Sequence, residues 1–216
     1  MNLSAITAFP ARRLIASGSL VCALLMLQGC IEAVIVGGAA SGALVLSDRR
    51  QPDVMASDER IEIQISQRLG DQFKTAHINT ISYNKMVLLT GEVPNAAAKA
   101  EAEKIAQSVS EVRSVVNELQ IGPASSFGNR GNDSFISGKV KAAFISHAKF
   151  QPNHVKVITE GGVVYLLGLV TRGEAETATE IARTVGGVQK VVRVFEYIAA
   201  PPANAAPAAA GDSAKK

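Results

Sequence analysis

Apolar positions along the chain fall into two rhythms, and the pair of rhythms comes round twice. Ile61, Ile65 and Leu69 recur four apart, the spacing of one face of a helix. The segments Ile78–Ser82 and Met86–Glu92 then alternate, with Val87, Leu89 and Gly91 on one side and Leu88, Thr90 and Glu92 on the other. Asn84-Lys85 reads as the turn between them. Pro94-Asn95 opens a stretch of strong helix formers, Ala96 to Val109, and a Val-rich strand runs from Val112 to Ile121. Ser57 or Asp58 is expected to cap the first helix.

A second set follows in the same order. Ile136, Val140 and Phe144 repeat the helical stripe, in a helix expected from about Ser134 to Ser146 behind Asp133. Strands are expected at Val155–Thr159 and Val163–Val170, around the turn Glu160-Gly161-Gly162. Thr171-x-x-Glu174 has the form of a capping box for the next helix, and Val188 to Ile198 reads as the last strand. Gly162-x-Val164-x-Leu166-x-Gly168-x-Val170 answers Val87-x-Leu89-x-Gly91-x-Val93 from 77 residues away, and His154 answers His77. The folded part is therefore two copies of one αββαβ unit. Each copy spans roughly 65 residues, near the lower limit for a core that folds alone.

The ends are of another kind. Arg12-Arg13 precede an apolar run, Leu14 to Leu27, which reads as a secretory signal peptide over residues 1–29. It closes on Leu27-Gln28-Gly29-Cys30, which resembles the bacterial lipobox. That resemblance implies cleavage after Gly29 and acylation of Cys30. Two or three acyl chains hold a protein stably where one does not. The alternative is an uncleaved anchor running on through Ile31–Leu46, but Glu32, Gly37, Gly38 and Gly42 make that a poor span. Ile31, rather than Asp, follows Cys30, which favours the outer membrane and its periplasmic face. Residues 30–56 read as lipidated Cys and tether, 57–122 as the first domain and 123–132 as a linker. Residues 133–198 read as the second domain, and 199–216 as an Ala/Pro-rich disordered tail.

Composition removes several function classes. Cys22 leaves with the leader and Cys30 becomes the anchor, so no thiol remains for a disulfide, a metal or catalysis. Losing Arg12 and Arg13 takes the formal charge from +3 to +1, which gives no argument for nucleic acid. Asp58 to Ile121 carries 7 basic and 9 acidic residues, and Asp133 to Ile198 carries 8 and 6. The second copy is the one suited to an anionic surface. No Ser-centred elbow, phosphate loop or His/Cys cluster stands in the sequence, and no cofactor or metal is expected. His77 and His154, as repeat equivalents at a strand start, are read as structural, and His147 near a helix end as a favourable cation for the helix dipole.

The order of elements and the Gly-x-Val-x-Leu-x-Gly-x-Val pattern resemble the BON domain. The second copy meets all five positions, whereas the first has Lys85 where Gly is expected and supplies Val115-x-Asn117 in its last strand. Lipobox, tether, two such domains and a short tail together resemble the dual-BON periplasmic lipoproteins. The resemblance implies an α+β fold, each domain a three-stranded mixed sheet packed against two helices. It also implies a non-enzymatic outer-membrane lipoprotein that supports envelope integrity, with the division site as one location. Its implied ligand is anionic phospholipid, phosphatidylglycerol or cardiolipin, bound through the second domain.

Comparing the two first helices shows where such binding is expected. Beside its core stripe the first carries Arg60, Gln64 and Gln67, and the second carries Phe135, Lys139 and Ala142. Lys141 lies farther round, and Ile145 also departs from the core stripe. An aromatic and a lysine on an otherwise wet flank suit an interfacial helix, with the ring at the acyl boundary and the ammonium at phosphate. The alternatives are that Phe135 packs against Phe127, the linker or the first domain, or that this flank meets an envelope protein partner. The motif Asn132-Asp133-Ser134-Phe135-Ile136 places Phe135 where the family carries an aromatic, often Trp.

Overall fold

The computed structural model describes residues 48–147 and 151–199. The leader, Cys30, the tether up to residue 47 and the tail beyond Ala199 lie outside the described residues. The order αββαβ occurs twice. The first copy is α1 (Pro52–Gln72), β1 (His77–Tyr83), β2 (Met86–Val93), α2 (Ala96–Gln107) and β3 (Ser114–Asn117), with a short continuation β4 (Gln120–Ile121). The second is α3 (Phe127–Ser146), β5 (Lys156–Glu160), β6 (Val163–Val170), α4 (Arg172–Thr184) and β7 (Lys190–Tyr197). In each copy the middle strand pairs antiparallel with the first and parallel with the last.

Two helices run longer than the sequence reading expects, for local reasons. Helix α1 starts at Pro52 with Gln51 in the cap position, because Pro suits the first turn and Asp53 favours the helix dipole. Helix α3 starts at Phe127, the fifth residue of what composition reads as linker, because Ser126 accepts a bond from the Asn129 N–H. Gly128 and Gly131 each weaken a helix by about 1 kcal/mol, and this cap with the downstream core stripe outweighs them. The expected capping box at Thr171 and Glu174 is formed.

Ser57 and Asp58 are not caps. Both are buried inside α1, and Asp58 does different work. Its carboxylate accepts the Asn84 and Lys85 N–H groups of the β1–β2 turn at 2.8 and 2.7 Å and the Ser82 hydroxyl at the end of β1 at 2.6 Å. Asp133, its equivalent, accepts the Gly161 and Gly162 N–H groups, both at 2.9 Å, from the β5–β6 turn. Each first helix thus holds its hairpin by the turn. Such turns need two residues at positive φ. Gly161 and Gly162 supply them at 56° and 74°, and Asn84 and Lys85 at 52° and 63°. Lys85 is therefore the strained member, since L-residues lose about 1–2 kcal/mol there. Lys85→Gly should raise stability by roughly 0.5–1 kcal/mol despite losing the Lys85–Glu111 ion pair, measured by urea unfolding. A loss of stability would show that the ion pair outweighs the strain.

The middle strands are buried on both faces. Val87, Leu89 and Val93 face α1 and α2, and Val164, Leu166 and Val170 face α3 and α4. On the other face Leu88 and Tyr83 join Tyr165, Leu167 and Val194 in one cluster, flanked by Ile81, Val116, Ile158 and Val192. The two sheets therefore pack on each other, and the order of layers is helices, sheet, sheet, helices. Both copies lie within one compact unit. Polar contacts edge the seam: Arg113 and Asn84 with Glu196, and Lys156 with Glu62. The two ion pairs run in opposite senses, one with its base on the first domain and one with its base on the second.

Candidate functional site

With both sheets used up in the seam, the helices form the outer layers. Helix α3 anchors itself through Ile136, Val140 and Phe144, all fully buried. Its opposite face carries Phe127, Gly131, Phe135, Gly138, Ala142 and Ile145, all exposed. At 100° per residue these positions share one side of the helix, over about 27 Å of its length. Phe127 is 87% exposed, Phe135 65% and Ile145 73%. A Cβ added at Gly131 or Gly138 would meet nothing within 4 Å, so the surface between the large side chains is low and open. The outer face of α1 differs: Arg60, Gln64 and Gln67 are exposed there, with Ile63 as the one large apolar residue.

The structure brings the expected residues onto this face and adjusts the role of one. Phe135 lies outside the seam cluster, and Phe127 points its ring at its own neighbour, with the Arg130 guanidinium 4.3 Å from the centroid. Lys139 sits 4.9 Å above the Phe135 ring and donates to the Gly186 carbonyl, so its ammonium is engaged within the protein. Lys141, on the other flank, is exposed, as are Ala142 and Ile145. Phe127, Gly131 and Gly138 were not among the expected site residues. The spacing from Phe127 through Gly131 to Phe135 could have shown them, had the glycine-rich composition not read as linker.

A second cluster lies at the seam. Atoms of His77, Glu92 and Glu160 come within 4.8 Å of one another, a donor set that a divalent cation could take. Its groups already have partners. Asn79 donates to Glu160 at 2.5 Å, Arg130 faces His77 Nδ1 at 3.3 Å, and the Ser125 N–H donates to Glu92 at 2.9 Å. The Asn79 amide faces Nε2 of the same ring at 3.3 Å, and a Glu160 oxygen lies 3.6 Å from Nε2. Burial pushes the Glu160 carboxyl up; Asn79 and His77 work against this, and Glu92 and Asp133 add to it. The cluster is a polar joint between the domains. His154, the repeat equivalent of His77, stands 3.6 Å from Glu174. His147 is exposed at the C-terminal end of α3.

A groove of about 560 Å³ runs between α3 and α4 past Ala143, His147, Glu176, Glu180 and Ile181. No described helix is long and apolar enough to cross a membrane.

Comparison with known proteins agrees with this architecture. The BON domain model matches twice, over residues 57–123 and 132–199. The outer membrane lipoprotein DolP of Haemophilus influenzae is 39% identical over 179 residues, covering 82% of this chain and 92% of that protein. The 21 kDa hemolysin of Actinobacillus pleuropneumoniae is 34% identical over 154 residues, covering 70% and 79%. The osmotically-inducible protein Y of Escherichia coli is 33% identical over 124 residues, covering 56% and 62%. Two matched domains joined back to back, and a relative alike over most of both chains, show that the chain belongs to the BON-domain family, as a dual-domain member of the DolP type.

Proposed function

We propose that this protein is a non-enzymatic, periplasm-facing lipoprotein of the outer membrane, anchored by acyl chains on Cys30. In this reading it binds anionic phospholipid through the outer face of α3 and so supports the integrity of the envelope. The outer-membrane lipoprotein among its relatives supports the location. The observation that carries the lipid reading is the exposed apolar face of α3, set between Lys139 and Lys141. A helix of this kind lies in the interface with its apolar side at the acyl boundary and its cations at the phosphates. Burying one Phe contributes about 1.5–3 kcal/mol, and each nearby cation about 1 kcal/mol at an anionic surface. Such binding is weak by itself, and an anchor that holds the domain near the bilayer raises its effective concentration.

The test is co-sedimentation of the chain carrying Cys30→Ser with phosphatidylcholine vesicles, with and without phosphatidylglycerol or cardiolipin, at two salt concentrations. Salt-sensitive binding to the anionic vesicles alone is expected. Phe135→Ser should weaken it roughly ten- to a hundredfold. Lys141→Ala should weaken it about fivefold and flatten the salt dependence, and Lys139→Ala should do less because its ammonium already has a partner. A folded protein that ignores every vesicle would sink the lipid reading and assign the same face to a protein partner of the envelope.

A further inference from the structure

We propose that Asp48, Arg49 and Arg50 form a strap across the seam, tying the chain that leads back towards Cys30 to both domains at once. Composition reads this stretch as the end of a loose tether. Its side chains are instead engaged on both sides. Arg49 turns to the second domain, donating to the two Glu174 oxygens at 2.8 and 2.7 Å and to the Leu169 carbonyl at 2.8 Å. Arg50 turns to the first, donating to Asp58 at 3.0 Å with its guanidinium 4.2 Å above the Tyr83 ring. Asp48 closes the strap on itself, accepting the Arg50 N–H at 2.8 Å and two guanidinium N–H groups at 3.2 and 2.8 Å.

These contacts are stronger than ordinary surface ion pairs. A guanidinium and a carboxylate that meet through two parallel bonds are fixed in orientation as well as attracted. The side chains of Arg49 and Glu174 are 23% and 17% exposed, and those of Arg50 and Asp58 12% and 4%, so water screens them little. The Arg49 bonds hold the Glu174 carboxyl down at about 2 against the effect of burial, with Thr171 adding to them. Arg49 and Arg50 follow one another in a bend and engage different domains, so one short segment reaches both. A tether belonging to the first domain alone would need no contact with Leu169 or Glu174.

The strap fixes where residues 48–50 lie: at the seam, rather than beside the first domain alone. If Cys30 carries the anchor, as in the function proposed above, residues 31–47 are then the spacer, and a pull on it is shared by both domains. The strap itself does not depend on that function, and its test needs no membrane.

Trypsin cuts after Arg and Lys in accessible extended chain, so Arg49 and Arg50 are themselves the probe. The chain carrying Cys30→Ser should resist cleavage at these two bonds under native conditions. Arg49→Lys keeps the charge and the cleavage site but loses the paired donors. Glu174→Gln removes the charge from the other side. Each should speed cleavage at residues 49–50 about tenfold relative to cleavage after Arg68 in the same sample, which corrects for any general loosening. The proposal is overturned if the parent chain is cut at 49–50 as fast as a free peptide of that sequence. It is equally overturned if Arg49→Lys and Glu174→Gln are both cut there at the parent rate.

Discussion

Gly91→Ala is expected to cost on the order of 4 kcal/mol, enough to leave the first domain marginal. Two separate faults combine at this position. Gly91 holds φ at 108°, outside the region that L-residues enter, and such a residue carries roughly 1–3 kcal/mol of strain. A Cβ there would also overlap the carbonyl oxygen of His77 on the neighbouring strand, and relieving an overlap in a packed core costs about 1–3 kcal/mol more. The obstacle is backbone, held by the β1–β2 pairing on either side, so it cannot swing away as a side chain would. Gly168 is the internal control. Its added Cβ would overlap the carbonyl of His154 in the same manner, but its φ is not positive. Gly168→Ala should therefore cost only the overlap, about 2 kcal/mol. Urea unfolding of the two variants compares them directly. Equal losses would mean that backbone strain at Gly91 is not what the position requires glycine for.

The same pair of positions shows how much of this protein its sequence discloses. The repeated Gly-x-Val pattern carries the family resemblance and the element order, and alternation in β2 and β6 puts Val87, Leu89, Val164 and Leu166 on the faces that are buried in cores. The two histidines at matching offsets are read as structural, and part of the physical reason is one the sequence does not display: their carbonyls are what the two glycines let close. The other faces of the middle strands were legible only in part. Tyr165, Leu167 and Leu169 make β6 apolar on both sides, which is the mark of a doubly covered strand. In β2 the polar Thr90 and Glu92 obscure the same message. That two sheets face each other is a statement about two distant segments at once, and a linear pattern does not carry it.

The candidate site divides similarly. The Phe135 flank was visible because the duplication supplies its own reference: the equivalent flank of α1 is polar. The extension to Phe127 was hidden because glycine is a poor helix former, so the composition around Gly128 and Gly131 speaks for a linker until the cap at Ser126 is seen. Lys139 could not be given its partner, since the Gly186 carbonyl lies on another element. The strap was hidden for a further reason. Paired donors on Arg49 and Arg50 find acceptors more than 100 residues away in one case and 8 in the other. Charges in a short polar run read as solvated unless their partners are known.

Asp58 and Asp133 offer the sharpest test of what the structure adds, because the sequence assigns one as a possible cap and the other as the residue before a helix. Asp58→Ala is expected to cost about 4 kcal/mol, and Asp133→Ala about 3 kcal/mol. A hydrogen bond to a charged group contributes about 1.5–3 kcal/mol net, and donors left unpaired in a buried site lose more than the bond was worth. Asp58 takes two donors from its turn, a third from Ser82 at the end of β1 and a fourth from Arg50, whereas Asp133 takes two from its turn. The donors are also unlike. Asn84 and Lys85 occupy positive φ without glycine's freedom, so the turn that loses Asp58 has a strained conformation to escape from. The Gly161-Gly162 turn has no such strain to release, which widens the gap between the two variants. For a unit of this size the larger loss corresponds to a fall in melting temperature of roughly 10 °C. A cap at the start of α1 would be worth only about 1 kcal/mol, so the magnitude alone separates the two roles. Amide hydrogen exchange separates them again. In Asp58→Ala the Asn84 and Lys85 amides should lose protection first, while those of α1's first turn stay as they were. Loss of protection confined to the start of α1, with a fall of only a few degrees, would return Asp58 to the capping role and remove the hairpin clamp.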